Sequence, residues 1–296
     1  MTPDRLPLDT RAYGLLLSCT MLWGLQQVVI KSTLPFVSPL AQAAIRSAIA
    51  IVLLLGWARR QRIALFERDG TLAAGLVAGL LFGAEFCFIY GGLAHTTASR
   101  MVVFLYLAPV LTALGLACFV PGERLGAVQW AGVLLAFAGL ATAFADGFVA
   151  TDRSTLLGDA FGVTAAVLWA ATTVLIRGSS LAKVAAEKTL AYQLGVSALL
   201  LSLASWATGE TGVERFDAVA LASLLFQGVV IAFASYLAWF WLLTRYYAAR
   251  LAVFSFLAPL FGVAFGVLLL GERLNAVFIV AALMVGAGIG LVNLRR

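Results

Sequence analysis

Two stretches of the chain, Leu93–Pro109 (LAHTTASRMVVFLYLAP) and Leu243–Pro259 (LTRYYAARLAVFSFLAP), are the same segment written twice. Leu93, Ala98, Arg100, Val103, Phe104, Leu107, Ala108 and Pro109 recur as identical residues 150 positions later, eight of seventeen. The likeness continues outward. Gly122-Glu123-Arg124-Leu125 returns as Gly271-Glu272-Arg273-Leu274, and Leu22-Trp23 with Lys31 returns as Leu168-Trp169 with Arg177. Apolar sequence of low complexity produces chance matches, but shared Arg, Pro, Trp and Gly-Glu-Arg-Leu landmarks in one order mark a true internal repeat. The chain therefore divides into residues 1–150 and 151–296.

What each half is made of follows from composition. Of 296 residues, 62% are apolar and 11% charged, against about 25% charged in an ordinary soluble domain. Twenty Lys and Arg with fourteen Asp and Glu cannot coat a water-soluble protein of this length, so the solvent is a bilayer. Apolar runs broken by charge, Pro and Gly predict ten spans, at 12–31, 38–57, 71–94, 99–119, 126–146, 156–177, 188–207, 218–244, 249–270 and 275–294. The first run follows Arg5 and Arg11 as a signal peptide would, yet it is long enough to span and more spans follow it; it reads as a retained helix.

Fourteen of the twenty basic residues fall on the side of the N-terminus and five on the other, with Arg46 inside a span. The positive-inside rule then places both termini in the cytoplasm. The net charge of +6 is thereby a topology signal, and nucleic-acid binding is discounted. Five spans per half reverse the direction of the chain, so the second half must be inserted upside down. The expected fold is all-α: ten transmembrane helices in two inverted five-helix repeats. Such halves exchange inward-open and outward-open shapes around a central site, which favours a carrier over a receptor or an enzyme.

Cys19, Cys87 and Cys118 lie one each in three apolar runs, without the spacing of a disulfide framework or zinc site. His95 is the only histidine, so neither a multi-histidine metal centre nor a triad is supported. No Walker loop or dinucleotide-binding glycine pattern occurs, and no cofactor is expected; transport would be secondary or passive.

Two ionisable residues lie deep in spans, Arg46 in the second and Glu85 in the third, both on the outer side of the midplane. An intramembrane charge is costly unless it has a partner or a task. The repeat puts Ser235 opposite Glu85 and Gly195 near Arg46, so the second half lacks both charges together, as a pair would require. The pair reads either as a buried salt bridge fixing two helices or as a group that meets a zwitterionic ligand or cycles a proton. A permanent salt bridge would disqualify Glu85 as a proton carrier.

Trp23 and Trp169 approach the membrane centre, too deep for interfacial anchors. Gln26 and Gln27 follow the first, Thr172 and Thr173 the second, at three and four residues and hence on its face. These read as helix packing with polar glue, or as a pocket for an apolar side chain with a polar head. Phe82, Glu85, Phe86, Ile89 and Tyr90 form one stripe of the third span; Tyr236, Trp239 and Phe240 lie on the eighth, and Tyr106 on the fourth has Phe256 as its twin. Bundle core and the lining of an aromatic cavity are both open for these stripes. Pro109 and Pro259 each remove a mid-helix hydrogen bond and predict bends that could serve as hinges. Gly75, Gly79 and Gly83, Gly262 and Gly266, and Gly286 and Gly290 read as close-packing ridges.

Two five-helix halves, a Trp midway along the first helix of each, and a Pro in the fourth followed by Gly-Glu-Arg-Leu together resemble the EamA-type members of the drug/metabolite transporter superfamily, from about Tyr13 to Leu294. Within it the sequence most resembles bacterial aromatic amino acid exporters. That resemblance implies a multi-pass carrier of the bacterial inner membrane, working as a monomer and exporting aromatic and other bulky neutral amino acids, with protons as a potential coupling ion. The alternative on the same scaffold is a broad-specificity drug or metabolite exporter.

Overall fold

A computed structural model describes residues 6–148, 152–270 and 276–294. The second Gly-Glu-Arg-Leu segment, 271–274, lies outside them. The described chain is helical apart from turns and two single-residue bridges, Leu6 with Tyr246 and Val37 with Val213. Its helices are α1 (Thr10–Thr33), α2 (Pro39–Gln61), α3 (Leu72–Leu93), α4 (Ala98–Leu105), α5 (Ala108–Phe119), α6 (Ala127–Ala143), α7 (Arg153–Gly178), α8 (Ala186–Ala207), α9 (Ala218–Leu225), α10 (Tyr236–Arg245), α11 (Ala248–Ala252), α12 (Leu257–Leu270) and α13 (Ala276–Asn293). Among the described residues nine continuous helical stretches are long and apolar enough to cross a bilayer, and α6, at 17 residues, is slightly shorter. Ten spans result, as composition predicts.

Three of these spans are not plain helices. The fourth is α4 and α5 broken at Tyr106–Leu107. Pro109 lacks an N–H and its ring crowds the carbonyl of Leu105, four residues back, which is where α4 ends. The ninth repeats the device: α11 passes through a 3-10 turn, Val253–Phe256, into α12, and Pro259 stands four residues after Ser255 in that turn. Both proline sites are buried. The eighth span joins α9 to α10 through a widened π-helical segment, Phe226–Ser235, a departure that sequence periodicity does not reveal.

Three first turns are closed by carboxylates. Asp9 accepts from the Ala12 N–H at 2.7 Å, Asp152 from Thr155 at 2.7 Å and Asp217 from Ala220 at 2.9 Å, meeting donors that a helix start leaves unsatisfied. Each of these interfacial carboxyls is held below the ordinary aspartate range, first of all by that backbone N–H. Glu210, in the loop after α8, does the same for α2, accepting from Leu40 at 3.0 Å and Ala41 at 3.1 Å.

Numbered one to ten, span one lies on nine and span six on four; three lies on six and eight on one; three lies on seven and eight on two. Two faces seven, and five faces ten. This set maps onto itself when each span is exchanged for the one five places away. Spans five and ten meet backbone on backbone, because a Cβ on Gly132 would stand 2.6 Å from the Gly288 carbonyl oxygen. Gly75, Gly79 and Gly83 lie against Tyr192, Val196 and Leu200 of α8, as their spacing predicts. The expected ridge at Gly286 and Gly290 is not a contact: a Cβ at either would meet nothing within 4 Å, and Gly288, on the other face of α13, makes the approach instead.

Candidate functional site: an aromatic chamber around two buried charges

The deep side chains of spans one, two, three, four, six and eight converge. Trp23 on α1 donates its indole N–H to the Ser235 hydroxyl at 2.9 Å, and Ser235 donates in turn to the Ile231 carbonyl at 2.7 Å. The widened segment Phe226–Ser235 thus ends on a hydroxyl that orients the tryptophan. Edge-to-face contacts follow, from Trp23 to Trp239 at 5.3 Å and to Tyr236 at 6.3 Å. Tyr236 meets Phe82 at 6.0 Å, and Phe82 meets Phe86 at 5.2 Å. On the other side Tyr106, next to the break in span four, meets Trp169 edge to face at 5.7 Å and Phe256 in a tilted contact at 6.4 Å. Edge-to-face geometry is the favoured one for such rings. The stripes read separately from the sequence are parts of one assembly.

Arg46 and Glu85 are both in it, at 2% and 7% exposure. They make no ion pair within 4.0 Å of each other. The guanidinium instead lies over the Phe86 ring, 4.4 Å from its centroid, a cation–π contact. Among the described residues Nε and Nη2 of Arg46 have no hydrogen-bond partner, and neither does the Glu85 carboxylate. Two opposite charges are thus buried in one aromatic assembly with no salt bridge between them.

Other expected site residues are placed differently. Gln26 is buried, whereas Gln27 is exposed on the side of α1 that faces Gly262 of α12. Thr172 and Thr173 are buried but donate to their own helix, to Leu168 O at 2.8 Å and Trp169 O at 3.3 Å. Tyr90 is half-buried against the cluster of Leu40, Ala43, Ala44 and Leu201. Sequence reading missed the role of Ser235 as the partner of Trp23, and Gln193 on α8, which is fully buried with both amide atoms unpartnered. A lone amide in an apolar run was the available signal for Gln193.

Toward the face where α1 begins, a buried ion pair ties the loop between spans four and five to spans six, eight and nine. Arg177, at the end of α7, forms a buried salt bridge with Glu123 and donates to the Leu243 carbonyl at 2.8 Å; Glu123 also accepts from the Ala248 N–H at 3.3 Å. Gly122 makes this possible, since the turn that presents Glu123 needs its φ of +86°. On the opposite face Arg100 and Asp159 form a second buried pair, which Thr96 joins by donating to Asp159 at 2.9 Å. The buried charges are thus salt-bridged toward both ends, and Arg46 and Glu85 among the rings are not.

Known proteins agree with this architecture. Family comparison matches the EamA-like transporter family over residues 10–145 and again over 156–294. An uncharacterized transporter of Archaeoglobus fulgidus is 29% identical over 288 residues, covering 95% of this chain and 97% of that one. A probable amino-acid metabolite efflux pump of Escherichia coli is 26% identical over 287 residues, covering 93% and 92%. A protein of known crystal structure superposes with a TM-score of 0.81 over 96% of each chain at 18% identity, a likeness of fold. With that fold and with family matches spanning nearly its whole length, the chain belongs to the EamA-like transporter family and is a multi-pass membrane transporter, not an enzyme.

Proposed function

We propose that this transporter exports aromatic and other bulky neutral amino acids across a bacterial inner membrane, as a monomer with both termini in the cytoplasm, by alternating access between two inverted five-helix halves. The observation that carries this reading is the separation of Arg46 from Glu85 inside a wall of aromatic rings. A zwitterion would offer its carboxylate to the guanidinium and its ammonium to Glu85. Its side chain would lie among Trp23, Phe86, Tyr106, Trp169, Tyr236 and Trp239. The name of the Escherichia coli relative, a probable amino-acid metabolite efflux pump, supports the same class of substrate.

Glu85, without a salt-bridge partner, is available in this reading to take up and release a proton, and Pro109 and Pro259 mark breaks about which spans four and nine would bend. The test is efflux of labelled phenylalanine or tryptophan from reconstituted vesicles. Efflux should saturate, should fall at least about tenfold in Trp23→Ala or Trp169→Ala protein that still folds, and should lose its pH dependence in Glu85→Gln. Efflux unchanged in both tryptophan variants overturns the site. Inhibition by cationic dyes and not by amino acids would assign the chamber to a broad drug or metabolite carrier.

A further inference from the structure

At the face where α1 begins, a cavity of about 140 Å³ is lined by Glu123, Arg124 and Gln129 together with Tyr247, Ala249 and Arg250. Its polar groups are not equally committed. Gln129 donates to the Val292 carbonyl at 3.0 Å and accepts from the Gly126 N–H at 2.9 Å. The Glu123 side chain is 3% exposed, and its charge is matched by Arg177. The two guanidiniums remain. Among the described residues neither Arg124 nor Arg250 forms an ion pair, and Arg250 rests on the Tyr247 ring, 5.5 Å from its centroid. Two unmatched cations lining one cavity repel each other, and an anion between them turns that repulsion into attraction.

Size and depth narrow the anion. The volume is close to the roughly 150 Å³ that takes one benzene, so a phosphate with its ester links fits. A whole aromatic amino acid is larger, and its ammonium would meet two cations. Helical stretches long and apolar enough to cross the bilayer end at Phe119 and at Arg245, and another begins at Ala248. The cavity stands beside those three ends, at the level of the lipid headgroups. Guanidinium forks match phosphate oxygens two at a time.

We propose that this cavity is a phosphate site for an anionic phospholipid headgroup, held between Arg124 in the loop after span four and Arg250 at the start of span nine. It is separate from the aromatic assembly and independent of which substrate the transporter carries. Glu123 already joins the same two elements through the Ala248 N–H at 3.3 Å, and a bound headgroup adds a second link between them. A ligand that binds one conformation better shifts the population toward it, so the lipid favours the arrangement in which the two arginines share one cavity.

The experiment titrates the purified chain in neutral detergent with short-chain phosphatidylglycerol, with short-chain phosphatidylcholine, whose ammonium cancels the phosphate charge, and with inorganic phosphate. It reads the unfolding midpoint and, by native mass spectrometry, the lipid bound per chain. Wild type, Arg124→Gln, Arg250→Gln and the double variant are compared with Arg60→Gln, which removes an exposed charge in the last turn of α2, at the same face but outside the cavity. Phosphatidylglycerol should raise the wild-type midpoint saturably and phosphatidylcholine should not. Apparent affinity should fall about tenfold in each cavity variant and stay at the wild-type value in Arg60→Gln. Lipid-free midpoints should be unchanged, because neither guanidinium is tied to an acid. Arg250→Lys, which keeps the charge and loses the fork, should bind with intermediate affinity and serves if Arg250→Gln does not fold. An equal loss in Arg60→Gln, or phosphatidylglycerol binding that survives the double variant, overturns the site. A midpoint raised by inorganic phosphate and not by phosphatidylglycerol overturns the headgroup as its occupant.

Discussion

Asp69 ties the loop between α2 and α3 to the first turn of α8. Lys188, itself buried, donates to its carboxylate at 2.7 Å and to the Glu67 carbonyl at 2.9 Å, and the Thr71 hydroxyl donates to Asp69 at 2.6 Å. The hydrogen bonds from Lys188 and then Thr71 hold the carboxyl down at about 2 from an ordinary 3.8. A carboxyl lowered on folding contributes stability that is present above its unfolded pKa and is lost as pH falls through the folded one. The unfolding midpoint of Asp69→Asn should therefore lie below wild type by a constant margin at neutral pH, with the margin shrinking below about pH 4 and vanishing near pH 2. A margin that widens on acidification would contradict the assignment. Nothing in the sequence joins Asp69 to Lys188, which are 119 residues apart. Arg46 and Glu85 teach the same at the site. Their depth was readable because helical rise is constant, but their separation was not, because Phe86 offers the guanidinium an aromatic face that counting along a helix cannot weigh against a carboxylate.

Helix α13 carries glycines on opposite faces, and only one face matters for packing. Gly288 meets the Gly132 oxygen and the Ala136 nitrogen, where an added Cβ would stand at 2.5 and 2.7 Å, whereas Gly286 and Gly290 face open space. Gly132→Val should thus force spans five and ten apart and destabilise the folded protein by about 1–3 kcal/mol or more. Gly286→Ala and Gly290→Ala should be neutral or stabilising by a few tenths to about 1 kcal/mol, through the unfolded chain and helix propensity. Unfolding of the purified variants in detergent checks the contrast, and equal losses at all three sites would refute it. Small-residue spacing announced that a close contact exists on such helices. Which face makes it depended on where the neighbouring helix lies.

Across the whole molecule, buried charges differ with depth. Those at the ends are paired, Arg177 with Glu123 and Arg100 with Asp159, and those in the chamber are not. In the proposed alternating-access cycle, opening the face where α1 begins would draw Glu123 away from Arg177 and Ala248. In sequence the repeat sets Lys31 at the place of Arg177 and Glu272 at that of Glu123, the acid–base pair required if two inverted halves exchange roles. Removing one partner of a buried pair costs about 3–5 kcal/mol because the other charge is stranded, whereas removing both costs far less. Arg177→Met should therefore unfold at a lower temperature than Arg177→Met with Glu123→Met. A double variant no more stable than the single one would show that the two charges are not coupled.

The sequence by itself determined the bilayer as solvent, the number of spans, the proline breaks and the internal repeat, because each depends on composition, periodicity or covalent geometry that is local to the chain. It also singled out the two deep charges and most of the rings. Tertiary structure alone decided that Arg46 rests on Phe86 apart from Glu85, that Ser235 holds Trp23, that Thr172 and Thr173 turn back on their own helix, and that Gln193 is left without a partner. Those outcomes depend on which of several competing groups comes within about 3–4 Å, and that is set by how helices distant in sequence rotate against one another.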